Sequence, residues 1–160
     1  MNAALRYPSA DDYDSMLELN NNFAVETSSL SIASLQALAA SSFYVRISGQ
    51  SDAFCIALDQ NAQYDNVNFD WFRRRYRRFV YIDRVVVAAH ARGQGLAQGM
   101  YSDLKVASKD AGHGLLCCEI NIDPPNVVSD RFHEAFGFVE VGRAFLQERA
   151  KTVRYLALFI

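Results

Sequence analysis

The residues of this sequence best placed to do chemistry are Arg92-Gly93-Gln94-Gly95-Leu96-Ala97, which stand between the β-branched run Val85-Val86-Val87 and the start of an amphipathic repeat. Glycines let a backbone come close to an anion, and the unpaired amides of a helix N-terminus add donors and the positive end of a dipole. Arg92 contributes a cation beside them. The combination predicts a phosphate site, with an ordinary strand-to-helix turn as the plain alternative. Rival glycine motifs fit less well. A dinucleotide fingerprint counted from Gly93 needs Gly or Ala where Gln98 stands, and no Gly-Lys-Ser or Gly-Lys-Thr follows. Two carboxylates interrupt otherwise apolar strand-like runs, Asp83 in residues 80–87 and Glu119 in residues 115–122. Each is either a candidate base or one half of a buried pair, Asp83 with an arginine such as Arg84 or Arg75. No zinc-type spacing, Gly-x-Ser-x-Gly elbow or supported Cys-His pair occurs, and His90 and His113 sit at a turn and a helix end with no chemistry assigned.

For these residues to converge, a strand must end at Val87 and a helix begin near Gly95. Residues 80–87 are apolar on both faces apart from Asp83 and Arg84, which marks a central strand. Residues 95–111 place Leu96, Met100, Leu104, Ala107 and Ala111 at helical spacing before Gly112-His113-Gly114. Residues 115–122 read as a second buried strand and Asp123-Pro124-Pro125-Asn126 as a hard stop. Residues 129–136 read as a short helix closed by Gly137, with strands near 138–141 and 152–159.

Upstream, residues 11–22 carry Tyr13, Met16, Leu17 and Leu19 or Asn20 at helical steps behind the capping candidates Asp11 and Asp12. Residues 31–40 set Ile32, Leu35, Leu38 and Ala39 on one side, with Ser28, Ser29 or Ser31 as N-cap. Runs at 43–47 and 53–58 joined by Ser48-Gly49-Gln50-Ser51-Asp52 predict a hairpin, and the polar, aperiodic residues 59–70 a loop. Residues 71–79 then mix five arginines with four aromatics. They form a solvated face with aromatics docked inward, a grip on an acidic acceptor or a cofactor phosphate, or a nucleic-acid surface. The order of elements predicts one mixed α/β (α+β) domain over residues 1–160.

Composition sets the bounds. With 160 residues, 51% hydrophobic and 21% charged, the chain has the balance of a packed globular domain and not of a disordered, collagen-like or coiled-coil protein. A net charge of −2 gives no long-range pull toward nucleic acid or anionic membrane, so neither is an expected partner. The three cysteines, Cys55, Cys117 and Cys118, are odd in number and two are adjacent in a buried run, which predicts core thiols in a reducing compartment. The charged N-terminal segment, Met1 to Asp14, predicts no signal peptide, and no apolar run reaches membrane-helix length. Cytoplasm is the expected location.

Three blocks in order make the sequence resemble the GNAT superfamily of acyl-CoA-dependent N-acetyltransferases from about Tyr81 to Phe138. They are a strand ending in Val87 followed by Arg92 to Ala97; Asn126 after the next strand; and Phe132-His133-Glu134-Ala135-Phe136 leading into Gly137-Phe138. The stretch from Asp123 to Phe138 looks like a poorly characterised branch of that superfamily. The resemblance implies a mixed sheet flanked by helices and splayed between residues 85–87 and 115–122, with acetyl-CoA as cosubstrate. Its pantetheine arm would lie in the split on the backbone of Val85, Val86 and Val87. The pyrophosphate would rest on Arg92, Gly93, Gln94, Gly95, Leu96 and Ala97. Asn126, Ser129, Phe132 and His133 would line the far side of the arm, and the N-terminal helices with the Asn20 to Ser31 linker would wall the acceptor, a small amine or a peptide. A homodimer stays open.

Acetyl transfer to an amine needs an unprotonated nucleophile, donors for the developing oxyanion and a proton for the departing thiolate. A lysine-like amine is neutral in about one molecule in 2,500 at pH 7 and an α-amine in about one in seven, so a base matters more for the first. By resemblance Asp83 is the leading base, since the family often keeps a carboxylate there. It stands two residues C-terminal to the family's usual glutamate, and Glu119 competes for the role. His133 occupies the place of the family's tyrosine acid toward the CoA sulfur; it either donates a proton or only packs and hydrogen-bonds. An acyl-CoA sensor or interaction domain of the same fold without turnover is the alternative function.

Overall fold

The structure is a computed structural model that describes residues 4–23, 27–49 and 51–160. The first residues of the N-terminal segment, part of the Asn20 to Ser31 linker and Gln50 of the hairpin turn lie outside the described residues. The strands are β1 (Leu5–Arg6), β2 (Tyr44–Ser48), β3 (Ala53–Asp59), β4 (Val80–Val87), β5 (Leu115–Asp123), β6 (Val139–Leu146) and β7 (Lys151–Phe159). The α-helices are α1 (Tyr13–Asn22), α2 (Ile32–Ser41), α3 (Val67–Arg73), α4 (Leu96–Asp110) and α5 (Val127–Phe136). The strands form one sheet in the order β1-β2-β3-β4-β5-β7-β6. Every neighbouring pair is antiparallel except β4 and β5, which run parallel and pair at Val80↔Leu116 and Tyr81↔Cys117 before they part. The expected mixed sheet, splayed at its centre and flanked by helices, is present.

β4 is buried along most of its length, as a central strand should be, but its pairing with β3 slips at one point. Arg84 pairs with Ile56 and Ile82 with Ala57, so Asp83 is the extra residue of a β-bulge. Four buried residues of α4, Leu96, Met100, Leu104 and Ser108, recur at four-residue steps, and Tyr101 joins them. Ala111, expected on this face, is the exposed C-cap. Of the candidate caps for α2, Ser31 serves, its side chain accepting from Ser34 N at 3.1 Å. Asp12 closes the first turn of the N-terminal helical segment backward: Ser9 N donates to its carboxylate at 2.6 Å, and Arg6 bonds both of its oxygens. Gly137 ends α5 at φ +108°, donating to the carbonyls of His133 and Glu134.

Residues 59–70 are not all loop. α3 begins at Val67 under an Asn66 cap that accepts from Asn68 N and Phe69 N, and it buries Asn68, Phe69 and Phe72. Seven residues give too few turns for a helical period to show. Phe69 and Phe72 pack with Phe79 and Tyr81 in one aromatic cluster. β6 is twice the predicted length; as an edge strand it is largely exposed and shows no alternation to read. The three cysteines are free and buried in the core.

Candidate active site

Where β4 and β5 part, a cleft of about 740 Å³ opens between them. Phe23 and Thr27 border it on one side, the turn after β4 and the start of α4 lie at one end, and α5 closes the far side. Of the predicted site residues, Asp83, Val85, Val86, Val87, Arg92, Gly93, Gly95, Leu96, Ala97, Glu119, Asn126, Ser129, Phe132 and His133 all line this cleft. Gln94 does not; its side-chain amide reaches back to the carbonyl oxygen of His90 at 3.4 Å.

The turn has the form an anion requires. Gly93 and Gly95 both stand at φ +77°, a conformation that L side chains rarely adopt, and a Cβ at either would meet open space. Gly95 is the N-cap of α4 and offers no side chain to the first amides of the helix, which leaves those donors for a ligand. Arg92 is exposed beside them with its guanidinium 4.8 Å above the Phe23 ring. Backbone donors, a helix dipole and a cation therefore converge at one end of the cleft, and they fit a pyrophosphate. On the far wall, the Asn126 side-chain oxygen is spent on capping α5, accepting from Ser129 N at 3.2 Å.

His133 is buried, and both its ring nitrogens are occupied. The Ser129 carbonyl lies 2.7 Å from Nδ1; a carbonyl can only accept, so Nδ1 carries the proton. Nε2 is then an acceptor for the Tyr101 hydroxyl at 2.9 Å. Burial lowers the imidazole pKa below its ordinary value. At neutral pH this histidine is uncharged and has no proton directed at the cleft, the arrangement of the packing and hydrogen-bonding reading. Phe132, Phe138 and Tyr101 surround its ring.

The two carboxylates differ in kind. Asp83 accepts from Arg84 Nε at 2.8 Å and from the Tyr64 hydroxyl at 2.7 Å, with the Asp83 and Arg84 side chains 4% and 5% exposed. Arg84 also donates to the Asn20 side chain at 2.8 Å. Asp83 is thus one half of a buried ion pair, the alternative raised for it from sequence. Glu119 is paired with no cation among the described residues. It accepts from the Tyr81 hydroxyl at 2.7 Å and from Asn68 Nδ2 at 3.1 Å, and burial pushes its pKa up to about 7. A cleft carboxylate that titrates at neutrality can take and return a proton under physiological conditions. Tyr64, Asn68, Tyr81 and Tyr101, which complete these arrangements, were not foreseen. Asn68 in particular stands in a segment that reads as loop and meets Glu119 only through the fold.

The arginines of residues 73–78 do not line the cleft. Arg73 pairs with Asp70 at 2.6 Å, Arg75 lies 3.8 Å over the Trp71 ring, and Arg78 donates to the Ala111 carbonyl. Phe72 and Phe79 are fully buried, so the segment is a solvated face with its aromatics docked inward. Among the described residues, no trio of His, Cys, Asp or Glu could hold a metal ion, and no helix is long and apolar enough to cross a membrane.

None of the curated proteins matches the chain by sequence. Solved structures match it over nearly its whole length. Ard1 from Thermoplasma volcanium superposes with a TM-score of 0.75 at 14% identity, covering 100% of this chain and 99% of that one. The ribosomal-protein-alanine N-acetyltransferase of Brucella melitensis gives 0.72 at 17%, covering 98% and 99%. A chain of the NatC complex bound to Gag peptide and CoA gives 0.74 at 14%, covering 100% and 99%. At these identities the likeness concerns the fold. Residues 35–138 match the acetyltransferase (GNAT) family, well over half of the sequence and all of the turn, the split and α5. With the splayed strands and the glycine turn placed as that family requires, the chain is a member of the GNAT acetyltransferase family.

Proposed function

We propose that this domain transfers the acetyl group of acetyl-CoA directly to a primary amine of a small metabolite or peptide, with Glu119 as the base. The observation that carries the reading is the pairing, in one cleft, of an anion-binding turn at one end with an uncompensated carboxylate pushed up to about pH 7 on its wall. The pyrophosphate would rest on the amides after Gly93 and Gly95 and on Arg92. The pantetheine arm would run along the unpaired edge of Val85 to Val87 in place of a neighbouring strand. An ammonium arriving at Glu119 gives it a proton, and the freed amine attacks the thioester carbonyl. A C–N bond forms and the C–S bond breaks. CoA departs as a thiolate, because His133 has no proton aimed at the sulfur. The excess proton on the new amide nitrogen passes to solvent, as does the one held by Glu119 before the next cycle, so ammonium and thioester give amide, CoA thiolate and two protons.

A peptide terminus is the acceptor class to test first. The NatC complex holds a peptide beside CoA, and the Brucella melitensis enzyme is named for a protein alanine. The test is release of free CoA thiol against amino acids, polyamines and peptides, with mass spectrometry of the product. Turnover that vanishes in Glu119→Gln supports the reading. Acetyl-CoA binding with no turnover on any amine would identify a sensor domain instead.

A further inference from the structure

Resting on the assignment of Glu119 as the base, we propose that Asn68, Tyr155, Trp71 and Gly142 form a positioning chain that secures the ionised form of Glu119 from the outer edge of the sheet. Three of the residues involved lie in one cross-strand row. Glu119 on β5 stands opposite Tyr155 on β7, and Tyr155 stands opposite Gly142 on β6. α3 covers this row and supplies the other two members, Asn68 and Trp71.

The hydrogen-bond directions follow from donor and acceptor chemistry. An ionised carboxylate only accepts, so the amide nitrogen of Asn68 must face Glu119 Oε1 at 3.1 Å. The Asn68 oxygen is left facing the Tyr155 hydroxyl at 2.9 Å, and that hydroxyl must donate to it. Asn68 is 2% exposed and Tyr155 1% exposed, so water does not compete for either contact. A flipped amide would set its oxygen against the carboxylate. Charged Glu119 thus fixes which way Asn68 faces, and the Tyr155 hydroxyl, by donating to the amide oxygen, holds the amide in that orientation.

Tyr155 is itself held. Trp71 stacks on its ring with centroids 4.1 Å apart and planes 15° from parallel. The indole can lie there only because residue 142 lacks a side chain, since a Cβ on Gly142 would overlap it. The β6 bulge between Glu140 and Gly142 brings that glycine into register with Tyr155. Gly142 is thus a spatial requirement of the indole's seat.

Other titratable groups around Glu119 leave this role distinct. From β4, Tyr81 donates to the second carboxylate oxygen, while Asp83 adds negative charge but is tied to Arg84. Tyr81, Tyr101 on α4 and Cys117 and Cys118 on β5 are pushed well above their ordinary values by burial, and Tyr155 to about 12, so all stay neutral while Glu119 titrates. Arg75, stacked on Trp71, is a cation whose charge acts on Tyr155.

The experiment follows the Glu119 side-chain carboxyl carbon by ¹³C NMR as pH is varied in the full-length protein, beside the pH profile of kcat. Losing a donor to a charged carboxylate raises its titration midpoint. Asn68→Leu should raise it by about one pH unit, and Tyr155→Phe, which frees the amide to flip, by about half a unit. Gly142→Ala, which displaces Trp71, should move it in the same direction as Tyr155→Phe. The acid limb of kcat should shift in step in all three, with acetyl-CoA affinity unchanged. A wild-type midpoint in both Tyr155→Phe and Asn68→Leu overturns the chain, whatever the activity. Wild-type kcat in Glu119→Gln overturns the base assignment separately, and the carboxyl titration still decides whether the chain positions Glu119.

Discussion

Replacing Glu119 by Gln removes one proton acceptor while keeping the shape of the side chain, and two measurements with opposite signs should follow. A carboxyl titrating at about 7 is ionised in about one molecule in eleven at pH 6 and in about ten in eleven at pH 8. Saturated wild-type turnover should therefore rise about tenfold across that interval. The Gln variant should lose about 10²–10⁴-fold in kcat at pH 7 and regain rate as the acceptor amine deprotonates unaided at higher pH. Stability should move the other way. The folded chain keeps the Glu119 proton up to about pH 7, whereas an unperturbed carboxyl releases it near 4.5, so the native state binds more protons between these values. The contribution of Glu119 to stability falls as pH rises through that window, and the full penalty, about 3 kcal/mol at about 1.4 kcal/mol per pH unit, stands above it. Gln escapes the penalty but has one acceptor oxygen for two donors, the Asn68 amide and the Tyr81 hydroxyl, and the donor left over costs about 1 kcal/mol. Urea unfolding at pH 8 should find the variant about 2 kcal/mol more stable than wild type, with the advantage gone by pH 4.5. Equal stability at pH 8 would show that Glu119 is not desolvated, and undiminished kcat would show that the amine needs no carboxylate.

Three further outcomes are expected. Gly95→Glu should abolish acetyl-CoA binding in calorimetry, because it forces a side chain onto a left-handed backbone and sets a carboxylate where the phosphates would lie; wild-type affinity would remove the turn from the site. Asp83→Asn should destabilise the fold by about 3 kcal/mol in denaturant titration, because it strands the Arg84 guanidinium in the interior, whereas a loss under 1 kcal/mol would mean that the pair is wetter than its geometry implies. His133→Phe should leave the pH dependence of kcat unchanged, since the imidazole has no proton facing the cleft, and loss in the variant of an alkaline limb seen in wild type would restore it as a proton donor.

The glycine turn was legible because its pattern is local: β-branched strand, two glycines and helix start lie within about a dozen residues of each other, and the backbone would do the proposed binding. The pair of central strands was legible for the same reason, since each is apolar along its own length. The proposed base was not. Asp83 and Glu119 look alike in sequence, and they are separated by partners brought from elsewhere: Arg84 neutralises one, to which Tyr64 also donates, while the other receives two neutral donors and no cation among the described residues. The partner of Glu119 on α3 was hidden twice, by a helix too short to show a period and by a 51-residue separation in the chain. The bulge at Asp83 was invisible because a strand buried on both faces has no alternation to interrupt. His133 lines the cleft, yet its tautomer is set by a backbone carbonyl that no side-chain pattern reveals.

The brief pairing of β4 with β5 bears on the mechanics of the domain. Four strands on one side and three on the other are joined at the middle by Val80↔Leu116 and Tyr81↔Cys117, and then the seam runs open. A cosubstrate lying along that seam, as proposed, would supply the cohesion a missing ladder would have given and act as a stitch between two half-sheets. At a concentration 100 times its dissociation constant, a ligand of the folded form alone adds about 2.7 kcal/mol to the unfolding free energy. Here that gain would be concentrated where the fold is least tied together, so each release of CoA would loosen the floor on which the next acceptor has to land.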